Sequence, residues 1–322
     1  MLYSIVIPCY KSSHTIRDVV ELTSQELEKQ GRTPYEFVLV NDCSPDGGET
    51  TRALKALADD YSFVRVVELA KNGGQQNATM AGLNYAEGDV IISMDDDMQT
   101  HPSQLHILFE EFDKGENDVV YAYYPDKHHK AYRNLGSLFT RITVQMLIRK
   151  PKTLKTSSFW VMKKFVRDYI IQYKNSYTYL LGLVLRTTNR VTCVPVEHFD
   201  RAYGKSGYTM KKLINLWSNI MGYSIIPLRA AIWLGSLFAA GGIIASLIVF
   251  IHKLLVPNTA VGWASLMCAI FFFSGLILMF LGLIGEYIGR MFLGMSASPQ
   301  FVVREVYQQG KLIKGDQDAK GQ

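Results

Sequence analysis

The chain has 322 residues and a mass of 36.4 kDa, with 48% hydrophobic and 20% charged residues and a formal net charge of +5. That length accommodates one large domain with an appendage, and the modest positive charge fits contact with anionic lipid headgroups without implying nucleic acid. The averages hide a split: residues 1–228 carry charge throughout, whereas 230–251 and 261–285 contain no Asp, Glu, Lys or Arg.

In chain order, residues 3–7 are a short apolar run ended by Pro8, predicted as a strand, and Ile16, Val19, Val20 and Leu27 follow at helical spacing. A second strand over 35–40 closes on the turn-rich Asn41-Asp42-Cys43-Ser44-Pro45-Asp46-Gly47-Gly48. A helix around Ala53 and Leu57, a strand over 64–69 and a helix over 78–86 lead to a fourth apolar run, 90–94. This alternation predicts an α/β domain, a parallel sheet with helices on both faces. Ligands of such sheets collect outside the strands' carboxyl ends, so the loops after strands one, two and four are expected to meet in one crevice.

The fourth run ends in Ser93-Met94-Asp95-Asp96-Asp97-Met98-Gln99. Adjacent carboxylates repel, and a folded chain tolerates them where a cation neutralises them or where they face water. Hard oxygen ligands suit Mg2+ or Mn2+, which take one or two protein carboxylates and complete their shell with water and substrate phosphate. Taken alone, the run therefore reads either as a metal site gripping a diphosphate or as a solvated acidic turn. The converging loops add an aromatic ring, Tyr10, able to stack on a base and a carboxylate, Asp42, able to accept from a base or ribose. Together they describe a nucleoside-diphosphate site. Neither G-x-G-x-x-G after the first strand nor G-x-x-x-x-G-K-[ST] is present, which argues against a dinucleotide fold and a P-loop.

Further on, Pro102 opens a helix through Leu105, Leu108 and Phe112, residues 118–123 form a strand, and a basic stretch over 127–133 leads into a helix. Arg133, Ser137 and Arg141, four apart, share one face of that helix. His128-His129 has no metal-ligand partner pattern, and Cys9, Cys43, Cys193 and Cys268 show no metal-ligand spacing. Residues 208–226 set Leu213, Leu216, Trp217 and Ile220 on one side and Lys211 and Lys212 on another, an amphipathic helix suited to a membrane surface. Each charge-free run exceeds the roughly 20 apolar residues that span a bilayer, predicting two transmembrane helices joined by a hairpin at 253–260. Basic residues flank the pair and are sparse in the hairpin, which places both termini in the cytoplasm. The first residues lack a basic region and a long apolar core, so no cleaved signal peptide is expected. A second interfacial segment is predicted at 286–295, a returning strand at 300–303 and a disordered tail after Gln308.

The set Ser4-Ile5-Val6-Ile7-Pro8-Cys9-Tyr10, Val38-Leu39-Val40-Asn41-Asp42-Cys43-Ser44-Pro45-Asp46-Gly47, Asn72-Gly73-Gly74-Gln75-Gln76, Ala81-Gly82-Leu83 and Gly88-Asp89-Val90-Ile91-Ile92-Ser93-Met94-Asp95-Asp96-Asp97-Met98-Gln99 resembles a family 2 glycosyltransferase. More narrowly, it is similar to polyprenyl-phosphate glycosyltransferases related to dolichol-phosphate mannose synthase and to bacterial undecaprenyl-phosphate sugar transferases. The resemblance covers about residues 1–210 and implies a GT-A-type nucleotide-sugar-binding domain over 1–207. An interfacial helix at 208–228, a two-helix transmembrane hairpin at 229–285 and a juxtamembrane segment with a short strand and tail at 286–322 complete the expected layout.

By that resemblance Pro8, Tyr10, Val40 and Asp42 hold the nucleoside, Asp96 lies against the ribose or phosphate, and Asp95, Asp97 and Gln99 ligate Mg2+ or Mn2+. Gln75 would join the nucleotide site, with a helix N-cap as its other reading. Arg133 and Ser137 would engage the phosphates of donor and acceptor, and the late Arg201-Ala202-Tyr203-Gly204-Lys205-Ser206 would stabilise the leaving group through Arg201, with Lys205 and Ser206 beside it. Two departures stand out. Lys11-Ser12 occupies a position where the family often has Asn-Glu, and Lys155-Thr156-Ser157-Ser158 replaces a segment that usually carries an Asp, the expected general base.

A lipid phosphate is already ionised at pH 7 and attacks without a base, so the missing carboxylate favours a phosphate acceptor over a hydroxyl. The expected activity is therefore metal-dependent, inverting transfer of one sugar from a nucleotide-sugar to a polyprenyl phosphate at the bacterial inner membrane, for modification of cell-envelope glycans. A homo-oligomer packed through the hairpin would be compatible with it. A processive polysaccharide synthase would carry Gln-x-x-Arg-Trp and more spans, neither of which is present. A catalytically silent nucleotide-sugar-binding subunit is the other alternative.

Overall fold

The computed structural model describes residues 1–125, residues 150–197 apart from 152, 176 and 177, residue 199, isolated positions between 228 and 251, and residues 262–295 and 299–314. The first half follows strand-helix alternation: β1 Tyr3–Cys9, α1 Ile16–Lys29, β2 Tyr35–Asn41, α2 Glu49–Asp60, β3 Val64–Leu69, α3 Gln75–Tyr85 and β4 Val90–Ser93. A 3-10 turn, Pro102–Gln104, then opens α4 Leu105–Phe112, followed by β5 Val119–Tyr123. After the undescribed stretch come β6 Trp160–Lys163, α5 Lys164–Ile170, α6 Leu180–Thr187 and β7 Val191–Pro195. Helix α7 Trp263–Met295 precedes β8 Val303–Gln308 and β9 Lys311–Lys314.

Among the described residues these strands form one nine-stranded sheet, ordered β7-β5-β6-β4-β1-β2-β3-β8-β9. Strands β1 to β4 pair in parallel, and antiparallel pairing of β6 with β4 and β5 and of β8 with β3 leaves only β6 and β8 running against the rest. The mostly parallel sheet expected from the sequence is thus present. Every residue of β1 is buried, as a strand covered on both faces requires. Tyr3, Ile5, Ile7 and Cys9 enter one core with residues of α1, α2 and α4, while Val6 enters the other with α3, α5 and α6. Helix α3 approaches closely because Gly82 has no side chain: a Cβ there would lie 2.4 Å from Val6 Cγ1 and 3.0 Å from Val40 Cγ2.

The C-terminal segment departs from expectation in three ways. The returning strand is Val303–Gln308 rather than 300–303, because its register is set by backbone pairing with the open edge of β3 and not by an apolar run. The polar stretch after Gln308 is ordered at its start: Gln309 and Gly310, with φ of 51° and 72°, make a tight turn into β9. Residues 286–295 continue α7 instead of forming a separate segment, since no proline interrupts the 33-residue helix.

Strand β8 fixes where the chain returns. Its first residue, Val303, pairs with Leu69, the last residue of β3, and Ala70 N donates to Val302 O at 2.8 Å. The segment arriving from α7 therefore joins the sheet at the carboxyl end of the parallel strands.

Taken over the described residues, no helix is long and apolar enough to cross a membrane. The first expected span, 230–251, is described at 13 of its 22 positions, and the second, 261–285, lies in α7 from Trp263 on, with side chains described at part of the helix's length. The expected interfacial helix at 208–228 and the hairpin at 253–260 lie outside the described residues, except that Leu228 is helical. Described apolar side chains of the two segments are largely exposed, Trp233 at 77% and Leu278 at 67%, and Phe238 meets Phe273 edge to face across the pair.

Candidate functional site

The strand order reverses beside β1: the chain runs from β1 to β2 and β3 on one side, then crosses to β4 on the other. Loops leaving β1 and β4 diverge there and open a crevice at their carboxyl ends. Backbone conformation marks the place. Lys11, Cys43 and Met98, in the loops after β1, β2 and β4, have φ of 60°, 49° and 59°. Side chains rarely occupy this left-handed region, and three such residues in one crevice indicate loops held by their surroundings.

The three aspartates point to different partners. Asp96 turns under the β1 loop, where its Oδ2 accepts from Tyr10 N at 3.0 Å and from Ser12 Oγ, and its carbonyl accepts from Thr15 Oγ1 at 2.6 Å. Burial pushes the Asp96 carboxyl above its ordinary value; the Ser12 and Tyr10 donors oppose the rise and the Asp97 charge adds to it. Asp95 faces the other way: Oδ1 accepts from Gln75 Nε2 at 2.7 Å and Oδ2 from Ser158 Oγ. Asp97 Oδ1 accepts from Gln99 N at 3.1 Å. Gln75 is thus the first residue of α3, not its cap, which is Gly74.

The predicted nucleoside residues lie on the other wall. Pro8 and Val40 are register partners across β1 and β2 and are buried. Val40 is fully buried, so a ligand would meet it through its backbone. Tyr10 is 48% exposed, with Lys11 Nζ 5.9 Å from its ring centroid. Asp42 is 4% exposed and closes on the Gly73-Gly74 turn, Oδ1 accepting from Gly73 N at 2.7 Å and Oδ2 from Gly74 N at 2.9 Å. Burial raises its pKa against the pull of those two amides. Each carboxylate oxygen retains a second lone pair. Gly74, at φ 80°, lets the turn aim both amides at one carboxylate.

Arg133, Ser137, Arg201, Lys205 and Ser206 lie outside the described residues. The chain just ahead of Arg201 does reach the crevice: Phe199 N donates to Gln99 O at 3.1 Å, and its ring lies 5.4 Å from that of His101. Tyr124, whose hydroxyl bonds Thr100 Oγ1, sits close enough to Asp95 and Asp97 for their charges to add to the rise in its pKa that burial causes.

Sequence reasoning missed Ser12, Thr15, Ser158 and Tyr124. Two of them sit at the departures already noted, where a carboxylate expected from the family gives way to a hydroxyl that donates to an aspartate.

Among the described residues no group of three or more His, Cys, Asp or Glu is arranged to hold a metal. The donor chemistry still fits a hard divalent ion, because Asp95 and Asp97 are partly exposed and Mg2+ or Mn2+ needs only one or two protein carboxylates when phosphates supply the rest. Cys9 is no candidate nucleophile or ligand: burial, then the Asp96 charge, push its thiol well above the ordinary value.

Residues 4–170 match the model of glycosyl transferase family 2, and residues 226–291 match the GtrB C-terminal hairpin. The Bacillus subtilis (strain 168) protein described as uncharacterized glycosyltransferase YkcC is 30% identical over 309 residues, 95% of this chain and 94% of that one. Glucosyl-3-phosphoglycerate synthase from Mycobacterium tuberculosis, crystallised with Mn2+, UDP and phosphoglyceric acid, superposes with a TM-score of 0.51 at 16% identity, covering 69% of this chain and 76% of that one. The same enzyme with Mn2+, UDP-glucose and phosphoglyceric acid gives a TM-score of 0.52 at 16% identity, with 69% and 77% covered. These likenesses carry the GT-A-like fold. With its crevice at the β1–β4 switch point and both family segments in order, the chain belongs to glycosyltransferase family 2.

Proposed function

We propose that the protein transfers one sugar from a nucleotide-sugar to a polyprenyl phosphate, such as undecaprenyl phosphate, with inversion and with the help of a divalent metal. The observation that carries this reading is the register of β8 against β3. Because Val303 faces Leu69, the chain coming from the apolar hairpin joins the sheet at the end that bears Asp95, Asp96 and Asp97. A hairpin embedded in a bilayer would then hold the crevice beside the lipid surface, where a polyprenyl phosphate presents its head. The exposed apolar side chains of α7 and of positions 232–251 support that embedding, since a water-facing surface of this kind would drive aggregation.

In this reading residues 1–207 are the catalytic domain and 208–228 an interfacial helix, with 229–285 the transmembrane pair. Residues 286–322 return to the sheet. Flanking basic residues place both termini at the cytoplasmic face of a bacterial inner membrane.

The roles follow from the crevice. Tyr10 and the Pro8–Val40 wall receive the nucleoside, Asp42 holds the Gly73-Gly74 turn against it, and Asp96 braces the β1 loop at the ribose. Asp95 and Asp97, with Gln99, would hold the metal, which neutralises the donor diphosphate when bound. Arg201, with Lys205 and Ser206, would stabilise the departing nucleoside diphosphate, and Arg133 and Ser137 would align the acceptor phosphate with the anomeric carbon. Ser157 and Ser158 stand where a general base was expected; an ionised phosphate needs none.

Membranes containing the protein, given labelled nucleotide-sugars and undecaprenyl phosphate, are expected to form a lipid-linked monosaccharide. A long polymer would indicate a processive synthase instead, and binding without turnover a silent subunit. UDP-sugars head the screen, ahead of guanosine and thymidine donors, because the mycobacterial synthase was crystallised with UDP and Mn2+.

A further inference from the structure

We infer that Ser158 is a positioning residue which, with Gln75, clamps Asp95 in the orientation needed to ligate the divalent metal of the donor site. The inference rests on the metal-dependent reading above and deepens it.

Asp95 is held from two sides by elements distant in sequence. Gln75, at the start of α3, donates to Oδ1 at 2.7 Å, and Ser158, just ahead of β6, donates to Oδ2. Both donors are themselves anchored. Thr79 Oγ1 donates to Gln75 O at 2.9 Å within α3. Ser157 Oγ donates to Ala122 O at 2.8 Å, and Ala122 N donates to Phe159 O at 2.8 Å, so the segment carrying Ser158 is tied to β5 on both sides.

A carboxylate at the partly exposed mouth of a crevice does not need two protein donors for solvation, since water supplies them. What two fixed donors add is orientation. They engage one position on each carboxylate oxygen and so fix the plane in which a cation would meet it. Asp97 is fixed separately through Gln99 N at 3.1 Å. The pair is thereby set before any ligand arrives, and the ordering cost of binding is reduced. The serine that stands near the position of the expected base thus acts on the metal carboxylate rather than on the acceptor.

The test uses the full-length protein in detergent and reads Mn2+ binding in the presence of UDP by electron paramagnetic resonance, with UDP binding in EDTA as the control. Ser158→Ala is expected to weaken Mn2+ about 10-fold, the lower end for loss of a group that orients a metal ligand, with UDP affinity in EDTA unchanged. Ser158→Thr, which restores the hydroxyl, is expected to recover most of the loss. Gln75→Ala should weaken Mn2+ as well, and a double variant no weaker than the worse single one would mark the two donors as one unit. Unchanged or tighter Mn2+ binding in Ser158→Ala would overturn the inference while leaving the metal reading intact. Absence of any UDP-dependent Mn2+ binding by the unsubstituted protein would sink the metal reading itself.

Discussion

Ser12 Oγ donates to Asp96 Oδ2, joining the start of the β1 loop to the aspartate run across 84 positions of sequence. The same oxygen takes the Tyr10 amide, so one carboxylate sets the loop that presents the Tyr10 ring. A hydrogen bond to a charged group contributes about 1.5–3 kcal/mol. Ser12→Ala should therefore raise KM for the nucleotide-sugar roughly 10-fold while changing kcat little, because the bond orders the donor pocket and touches no reacting atom. Steady-state kinetics would check this; a kcat-only effect would contradict it.

Asp97→Ala should lower sugar transfer at least about 100-fold, the scale of losing one electrostatic element at a reacting centre. Membrane insertion should be unaffected. EDTA should abolish transfer by the unsubstituted protein, and added Mn2+ or Mg2+ should restore it. Full activity in the variant would refute the metal assignment.

Gly82→Ala should destabilise the domain by about 1–3 kcal/mol, the range for overpacking a filled core. The new Cβ would fall 2.4 Å from Val6 Cγ1, a short buried side chain without room to retreat. Because α3 also carries Gln75, UDP affinity should fall in parallel. Urea denaturation and a binding titration would read the two effects.

Asp118 links the far end of the sheet. Burial alone would lift its carboxyl, but hydrogen bonds from Lys163 at 2.8 Å and Thr188 at 2.7 Å hold it below the ordinary value. A carboxylate depressed in the folded state contributes stability that is present above its unfolded value and lost as pH falls through its folded one. Asp118→Asn should cost about 1 kcal/mol near pH 7, discounted for the partly exposed lysine. The deficit should begin to shrink below about pH 4, where the unfolded chain's carboxyl takes up a proton, and close at lower pH as the native carboxyl follows. Urea midpoints across pH 3–7 would show the convergence.

Leu278 in α7 and Leu312 in β9 are similarly exposed, at 67% and 58%. If the helix lies in lipid, Leu278→Lys should cost about 2.5–3.5 kcal/mol of insertion and lower the fraction that resists carbonate extraction. Leu312→Lys, on the sheet edge, should leave that fraction unchanged. Equal behaviour of the two variants would remove the case for a spanning helix.

Much of the architecture was legible in the chain because strands buried on both faces are mostly apolar. Residues 3–7, 35–40, 64–69 and 90–93 show this, with Ser4, Glu36, Arg65, Glu68 and Ser93 as the polar exceptions, and lie in β1 to β4. The strands beyond residue 150 were harder to read. β6 is four residues long, and β8, at the flank of β3, buries only Val306 among partly or fully exposed residues. Their pairing is written in backbone hydrogen bonds, which any sequence can make, and leaves little compositional trace.

The sequence by itself determined the order of strands and helices, the clustering of three carboxylates at a strand end and the apolar character of the C-terminal pair, since each follows from local composition and spacing. Only the tertiary structure decided which groups hold those carboxylates. Ser12 and Tyr10 meet Asp96, Gln75 and Ser158 meet Asp95, and Gly73 and Gly74 meet Asp42, over separations of 20 to 86 residues. Such contacts depend on how α3 and β6 pack against β1 and β4, and a single hydroxyl or amide carries no periodicity by which its distant partner could be read.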